Sequence, residues 1–282
     1  MNLDLRATPE DVMRGVEALQ QFAAAQQIPD GTIFDLALAL EECASNVVHH
    51  AFKRDGQRTF RIAAERTHDA FIIEVRDDGP AFDPSAAPPL DAQLADDGAS
   101  GGWGLALMRR AVDDIHYRRE AGTNVLRLVK RLVPACGTEA GRSRASDRQP
   151  ERSHVMPLDI RIQKDGPGGG AGVVTVTLIG SLDTATAPSL EAQLAPLLQS
   201  ATDIVFNLAQ LTFISSAGLR VFAMTRKALK ERGGQASFVQ MPPHIQDVFE
   251  IIKALPGVAV FKDVAELDRY LAARQRVRLE GE

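Results

Sequence analysis

From Pro134 to about His154 the chain reads "PACGTEAGRSRASDRQPERSH" and almost loses its large apolar residues. A stretch so rich in Arg, Ser, Gly and Pro cannot bury enough surface to offset the entropy of ordering it, and it predicts a flexible linker over 135–154. The break divides the 282 residues into two runs, 1–134 and 155–282. At roughly 130 residues each, both can bury about two-thirds of their unfolded surface and fold as domains. A second cluster, "KDGPGGGAG" from Lys164 to Gly172, is different. Apolar alternation flanks it in "VMPLDIRI" and "VVTVTLIG", which makes it a hairpin loop inside the second domain.

Several functional classes are disfavoured at once. The formal net charge is −5, with both signs mixed throughout. No basic field marks a direct nucleic-acid partner. Cys43 and Cys136 lack metal-ligand spacing and are too few for a disulfide scaffold. No apolar run approaches the roughly 18 residues of a membrane span. The start, "MNLDLRATPE", has neither the basic nor the apolar region of a secretory leader. A cytoplasmic protein without a membrane role is expected.

The first domain opens on Thr8-Pro9-Glu10-Asp11, a cap, a proline and two acids, which predicts a helix running to about Gln27. A second helix runs through "FDLALALEECASNVVHHAF". Strands follow in "RTFRIAAER" and "AFIIEVRDD", then a long Pro/Ala/Asp loop from Gly79 to Ser100. A helix starts near Gly104, and two strands, "HYRRE" and "NVLRLVKRLV", close the unit. This order predicts helices on one face of a mostly antiparallel sheet. The second domain alternates differently. Strands lie near 155–163, 172–179 and 203–214 and in "QASFVQM" and "VAVF", with helices over 187–199, from the Ser215-Ser216 pair to Arg232, over 243–254 and from Asp263. That is an α/β pattern around a small sheet.

Glu42 and Asn46 sit four residues apart, and so on one helix face. From spacing alone such a pair reads first as a solvated stripe, but Cys43, Ala44, Val47 and Val48 flank it closely, which suits a site. In a site the amide oxygen can ligate Mg²⁺ and the carboxylate can orient or deprotonate a nucleophile. His49 and His50 are a poor metal pair, because adjacent helical residues point about 100° apart. Asp77-Asp78-Gly79-Pro80 ends a strand, where an acid followed by glycine often only makes a turn. Gly101-Gly102-Trp103-Gly104-Leu105 precedes a helix whose first N–H groups could approach phosphate. Gly122-Thr123 joins the last two strands.

The order of these pieces resembles the GHKL ATPase superfamily. In detail, "EECASNVVHHAF", "VRDDGPAFDP", "GGWGLALMRRAVDDI" and "GTNVLRLVKRL" look like its anti-sigma factor serine kinase branch. The resemblance implies a Bergerat-type α/β sandwich over 1–134 that binds Mg-ATP under a lid at about 83–101. By motif position, Asn46 would hold Mg²⁺ and Glu42 would serve as base toward a serine hydroxyl. Asp77 would accept from the adenine amino group, and Gly79 would shape the adenine pocket. Gly102 and Gly104 would face the phosphates, and Thr123 would line the adenine side. Ala81 stands where a second glycine is frequent, and Trp103 lies between the lid glycines.

In the second domain, "GSLDTATAPSLEAQL", "DIVFNLAQLTFISSAGLRVF" and "GGQASFVQMPPHIQDVFEII" resemble a STAS domain of the anti-anti-sigma factor type. The resemblance implies a phosphorylated serine at a helix N-terminus, here Ser216. Ser215 stands where that family often has aspartate. On its own, Ser216 reads first as an ordinary helix cap, and the adjoining kinase-like domain is what turns the reading toward a phosphorylated serine.

The fusion thus joins a kinase-like domain to its kind of substrate. A flexible linker of about 20 residues spans roughly 25 Å and holds the two at millimolar effective concentration. The expected function is an ATP-dependent serine kinase acting on a STAS domain in cis or in trans, within a partner-switching system controlled by phosphorylation of Ser216. The resemblance adds a sigma factor and a serine phosphatase as partners, and dimerisation through the first domain. The alternative is a non-catalytic ATP-sensing module that clamps STAS or sigma-factor partners.

Overall fold

A computed structural model of the chain describes residues 1–86, 102–132, 157–164, 172–252, 259–262, 265–267 and 269–270. They form two compact α/β units. The expected linker over 135–154, Cys136, the hairpin tip at 165–171 and the larger part of the expected lid, 87–101, lie outside the described residues.

The first unit runs β1 (Asn2–Arg6), α1 (Pro9–Ala25), α2 (Asp30–Asn46), a π-helical turn (Val47–Ala51), β2 (Thr59–Arg66), β3 (Ala70–Asp77), the end of α3 (Trp103–Ala111, of which 108–111 belong to this unit), β4 (Asp114–Glu120) and β5 (Thr123–Arg131). Its sheet has the order β1-β2-β3-β5-β4, with every neighbouring pair antiparallel. The Thr8 hydroxyl accepts from the Asp11 N–H at 3.2 Å, so the predicted cap forms. The first helix stops at Ala25 rather than Gln27, because Gln27 takes a left-handed φ of 57° and Ile28 N–H closes back onto the Ala23 carbonyl. α1 lies close on the sheet through Gly15. A Cβ there would stand 2.7 Å from Leu5 Cδ1 and 3.0 Å from Ile62 Cδ1.

The inner sheet face carries Leu5, Ile62, Phe71, Ile73, Val75 and Leu128, all fully buried. The other face alternates charges in cross-strand rows. Arg61 pairs with Asp4 at 2.7 Å, and Arg76 and Arg118 both reach Glu74. Apolar residues on one side and ion pairs on the other are what a one-sided antiparallel sheet requires.

The second unit runs β6 (Asp159–Lys164), β7 (Val173–Leu182), α4 (Ala187–Ser200), β8 (Asp203–Ile214), α5 (Ser216–Glu231), β9 (Gln235–Val239), α6 (Pro243–Ile252) and β10 (Ala259–Phe261). The sheet order is β10-β9-β8-β7-β6. β6 and β7 are antiparallel, so the Gly-rich segment does join a hairpin, while the other pairs are parallel. Phe206, Phe222, Phe238 and Phe249 form the centre, with ring centroids 4.8 to 6.1 Å apart. Val173, Val205, Val239, Phe261 and Leu267 make a second cluster, with Tyr270 against it.

Candidate functional site

In the first unit the site gathers at the end of α2. Glu42 is 2% exposed and Asn46 is half-buried one turn later. Glu41 is also buried, and the Ser45 hydroxyl donates to its Oε1 at 3.4 Å. Among the described residues the Asn46 amide makes no hydrogen bond, so its oxygen is open to a cation. Cys43, between these residues, is a buried thiol whose pKa is raised by burial first and by the Asp77 charge second. That electrostatic coupling sets α2 beside the end of β3.

Directly after Asn46 the helix widens into the π-turn. Phe52 N–H reaches back five residues to the Val47 carbonyl at 2.9 Å, and His49 Nδ1 lies 2.9 Å from the Ser45 carbonyl oxygen. Lys53 and Arg54 then take left-handed φ values of 50° and 65°. π-Turns and such non-glycine residues concentrate at functional sites, because the distortion re-aims the backbone. The helical periodicity of "EECASNVVHHAF" gives no sign of it.

Of the two aspartates closing β3, only Asp77 turns inward, at 9% exposure. Asp78 is exposed and pairs with Arg58 at 2.6 Å, a bond that lowers its pKa, and the Arg58 guanidinium lies 4.4 Å over the Phe52 ring. Asp77 Oδ1 accepts from Gly79 N–H at 2.8 Å and from Asn124 Nδ2 at 2.9 Å. Among the described residues its Oδ2 accepts nothing. Gly79 is held tightly, since a Cβ there would lie 2.7 Å from Ala51 Cβ in the π-turn and 2.8 Å from Asp77 Oδ1.

The strand register explains why Asn124 and not its neighbour reaches Asp77. Asp77 pairs with Asn124, which pairs in turn with Arg119. Thr123 is half-buried and pairs with Glu120 one position earlier, on the other side of the pleat. Asn124, Tyr117 and Arg119 are site residues that no motif marks. The sequence offers only a polar residue directly before the apolar positions Val125, Leu126 and Leu128 of β5.

Gly102 and Gly104 stand at the start of α3. Gly102 takes a φ of 129°, which a side chain would strain, and its carbonyl accepts the first helical bond from Ala106 N–H. Trp103 is buried, and among the described residues its indole N–H has no hydrogen-bond partner. Arg109 Nη2 donates to the Pro84 carbonyl at 2.7 Å, tying α3 to the first residues of the loop after β3.

The second unit places the serine pair where β8 meets α5. Ser215 is the N-cap and is fully buried, with its hydroxyl unpaired among the described residues. Its N–H donates to the Leu182 carbonyl at 3.1 Å. Ser216 is the first helical residue and is half-buried, so the expected cap at 216 is corrected by one position. Gly218 lets the helix close on β7, for a Cβ there would lie 2.6 Å from Leu182 Cγ. Asp183 follows Leu182 and is fully buried. Its Oδ1 accepts from the N–H groups of Ala185 and Thr186, and burial raises its pKa against those bonds.

The arrangement offers two chemistries. An open carboxylate oxygen (Asp77) and an open amide (Asn46) flank a buried carboxylate (Glu42), a donor set that suits an amino-bearing base and a hard divalent cation. A half-buried hydroxyl at a helix N-terminus suits an added anion. No helix among the described residues is long and apolar enough to cross a membrane.

Each half of the chain matches a known family. Residues 5–130 match the histidine kinase-like ATPase domain family, and residues 169–267 match the STAS domain family. The serine/threonine-protein kinase BtrW of Bordetella bronchiseptica is 31% identical over 134 residues, covering 47% of this chain and 94% of that protein. BtrV of the same organism, named an anti-sigma factor antagonist, is 37% identical over 81 residues, covering 28% of this chain and 70% of BtrV. Among solved structures, the anti-sigma factor antagonist SpoIIAA in its unphosphorylated form aligns with a TM-score of 0.35 at 18% identity, over 40% of this chain and 96% of that one.

Proposed function

The chain belongs to the histidine kinase-like ATPase family in its first half and to the STAS family in its second, and from that premise we propose that it is an ATP-dependent protein-serine kinase fused to its own class of substrate. Residues 1–134 are the kinase, 135–154 the linker and 155–282 the substrate-like domain. The observation that supports this most is Asp77, buried and fixed through Oδ1 with Oδ2 open, beside a helix that presents Glu42 and Asn46 one turn apart.

In this reading Asp77 Oδ2 accepts from the adenine amino group and Gly79 bounds the base; the register that sets Asn124 opposite Asp77 leaves Thr123 on the other side of the pleat, so no contact with the base is assigned to Thr123. Gly102 and Gly104 admit the phosphates to the first N–H groups of α3. Asn46 would hold Mg²⁺, which when bound neutralises charge on the phosphates. Glu42 takes the proton of the acceptor serine hydroxyl as that serine's oxygen bonds to the γ-phosphorus. The bond to the β-phosphate oxygen breaks and ADP leaves. Phosphoryl transfer is mostly positioning and electrostatics, so a buried base one turn from a metal ligand is sufficient machinery.

The acceptor serine is presented by this chain or by a separate STAS protein. Phosphate at Ser216 adds about −1.5 to −2 charges at a helix start that tolerates them, while repelling a docked acidic partner. The phosphorylation state would thereby select which partner occupies the kinase, in the cytoplasm, with a sigma factor as one such partner and a serine phosphatase resetting the serine.

Incubation of the purified chain with Mg-ATP, followed by phosphosite mapping, tests the reading. Phosphate on Ser216 in the wild type and its loss in Glu42→Ala are expected. No transfer, combined with ATP-dependent binding between the separated domains, would establish a nucleotide-gated clamp instead.

A further inference from the structure

Asn124 holds the Asp77 segment in place more completely than any residue marked by a motif. Its side chain is 5% exposed and every polar atom on it is engaged. Nδ2 donates to Asp77 Oδ1 at 2.9 Å and to the Pro80 carbonyl at 3.0 Å, with the Gly79 carbonyl also at 3.3 Å. Oδ1 accepts from the Tyr117 hydroxyl at 2.8 Å and from Arg119 Nη1 at 2.5 Å. Arg119 Nη1 also donates to the Gly79 carbonyl at 3.0 Å. The three acceptors on one side and two donors on the other leave the amide a single orientation. Asp77, Asn124 and Arg119 occupy one row across β3, β5 and β4, so the sheet itself sets their spacing.

The consequence falls on Asp77. Its carboxylate has one oxygen held by two N–H groups from different directions, Gly79 along the chain and Asn124 across the sheet. The plane of the carboxylate is thereby fixed, and the other oxygen points as a lone acceptor. A fixed acceptor discriminates between purines. The 6-amino group of adenine donates to it, whereas the 6-oxo group of hypoxanthine or guanine sets oxygen against oxygen and leaves both unpaired. A carboxylate free to pivot could turn aside, and the discrimination would fade.

We propose that Asn124, braced by Tyr117 and Arg119, is the positioning residue that sets purine selectivity in the first domain. The proposal rests on the reading of Asp77 as the base acceptor and adds what makes that acceptor selective.

The test titrates the full chain with Mg-ATP and, separately, Mg-ITP by calorimetry. The wild type should favour ATP. Asn124→Ala should cut the ATP-to-ITP affinity ratio about tenfold, mainly by weakening ATP, the scale of one hydrogen bond in a site built for it. Tyr117→Phe removes a single donor to Asn124 Oδ1 and should move the ratio the same way by about threefold, which keeps the test open should Asn124→Ala not fold. A ratio unchanged in both variants, with only the melting temperature lowered, assigns Asn124 a purely structural role and overturns the proposal. Nucleotide uptake by the wild type, with a ratio that neither variant alters, removes only this proposal. A wild type that takes up neither nucleotide removes the reading of Asp77 and this proposal with it.

Discussion

Gly79 and Ala51 meet with no room for a side chain between them: a Cβ on Gly79 would lie 2.7 Å from that of Ala51. The contact joins the turn after β3 to the π-turn after α2, and so links the aspartate of the site to the helix carrying Glu42 and Asn46. Gly79→Ala must push the two apart. The expected outcome is a loss of about 1–3 kcal/mol from overpacking, a melting temperature lower by about 5 °C or more, and weaker ATP uptake. Gly79→Ala combined with Ala51→Gly should recover part of both, because the methyl it collides with is gone. A double variant no better than the single one would place the damage at Asp77 Oδ1, the other atom within 2.8 Å.

Asn46 is half-buried, and its amide makes no hydrogen bond among the described residues. Its removal therefore leaves no broken network behind. Asn46→Ala is expected to melt within about 1 °C of the wild type, since substitutions away from packed or bonded positions change stability little. Nucleotide titrations with and without magnesium should lose their difference in this variant. A magnesium effect as large as in the wild type would remove Asn46 from the metal site.

The elements with long or regular patterns were legible in the sequence, and those fixed by tertiary contact were not. The bounds of β8, 203–214, are legible because a mostly apolar run ends at a serine pair. β1 was missed: of its five residues only Leu5 is buried, too short a run for an alternation to show. The π-turn lengthens the backbone hydrogen bonding by a residue, as from Phe52 N–H to the Val47 carbonyl, and leaves no mark on the residue pattern of "EECASNVVHHAF". Glu42, Asn46 and Asp77 could be named because their residue types and order carry chemistry. Asn124 could not, because its role depends on standing opposite Asp77 in the strand register, a relation between residues 47 positions apart. The serine pair illustrates the finest limit. Either serine suits a helix start, and only the backbone shows that Ser215 is the cap and Ser216 the first helical residue.

Gly218 is the packing counterpart of Gly79 in the second unit. Its missing Cβ leaves α5 in contact with Leu182, whose carbonyl also receives the Ser215 N–H. Gly218→Ala would press on Leu182 side chain and carbonyl together, so the start of α5 must shift. A loss of about 1–3 kcal/mol is expected in denaturant titration. Phosphorylation of Ser216 by the chain should fall with it, because the hydroxyl is carried on the same turn. Full phosphorylation alongside the destabilisation would show that the acceptor position does not depend on that contact.

Asp183 makes the stability of the second unit depend on pH in an unusual direction. Burial raises its pKa above the usual 3.8, outweighing the Ala185 and Thr186 N–H bonds that favour the charged form. Above 3.8 the unfolded chain has released this proton while the folded chain still holds it. The folded state then binds more protons than the unfolded one, so stability falls as pH rises through that window and levels off beyond the folded pKa. The slope from this group is at most about 1.4 kcal/mol per pH unit. Asp183→Asn keeps the Oδ1 acceptor for both N–H groups and cannot ionise. Denaturant titrations of the full chain from about pH 4 to pH 7 should therefore show the descent contributed by this residue in the wild type and its absence in Asp183→Asn. Identical profiles for the two would mean that Asp183 is ionised in the folded and unfolded chains alike over that range, and that the buried carboxylate contributes nothing to the pH response.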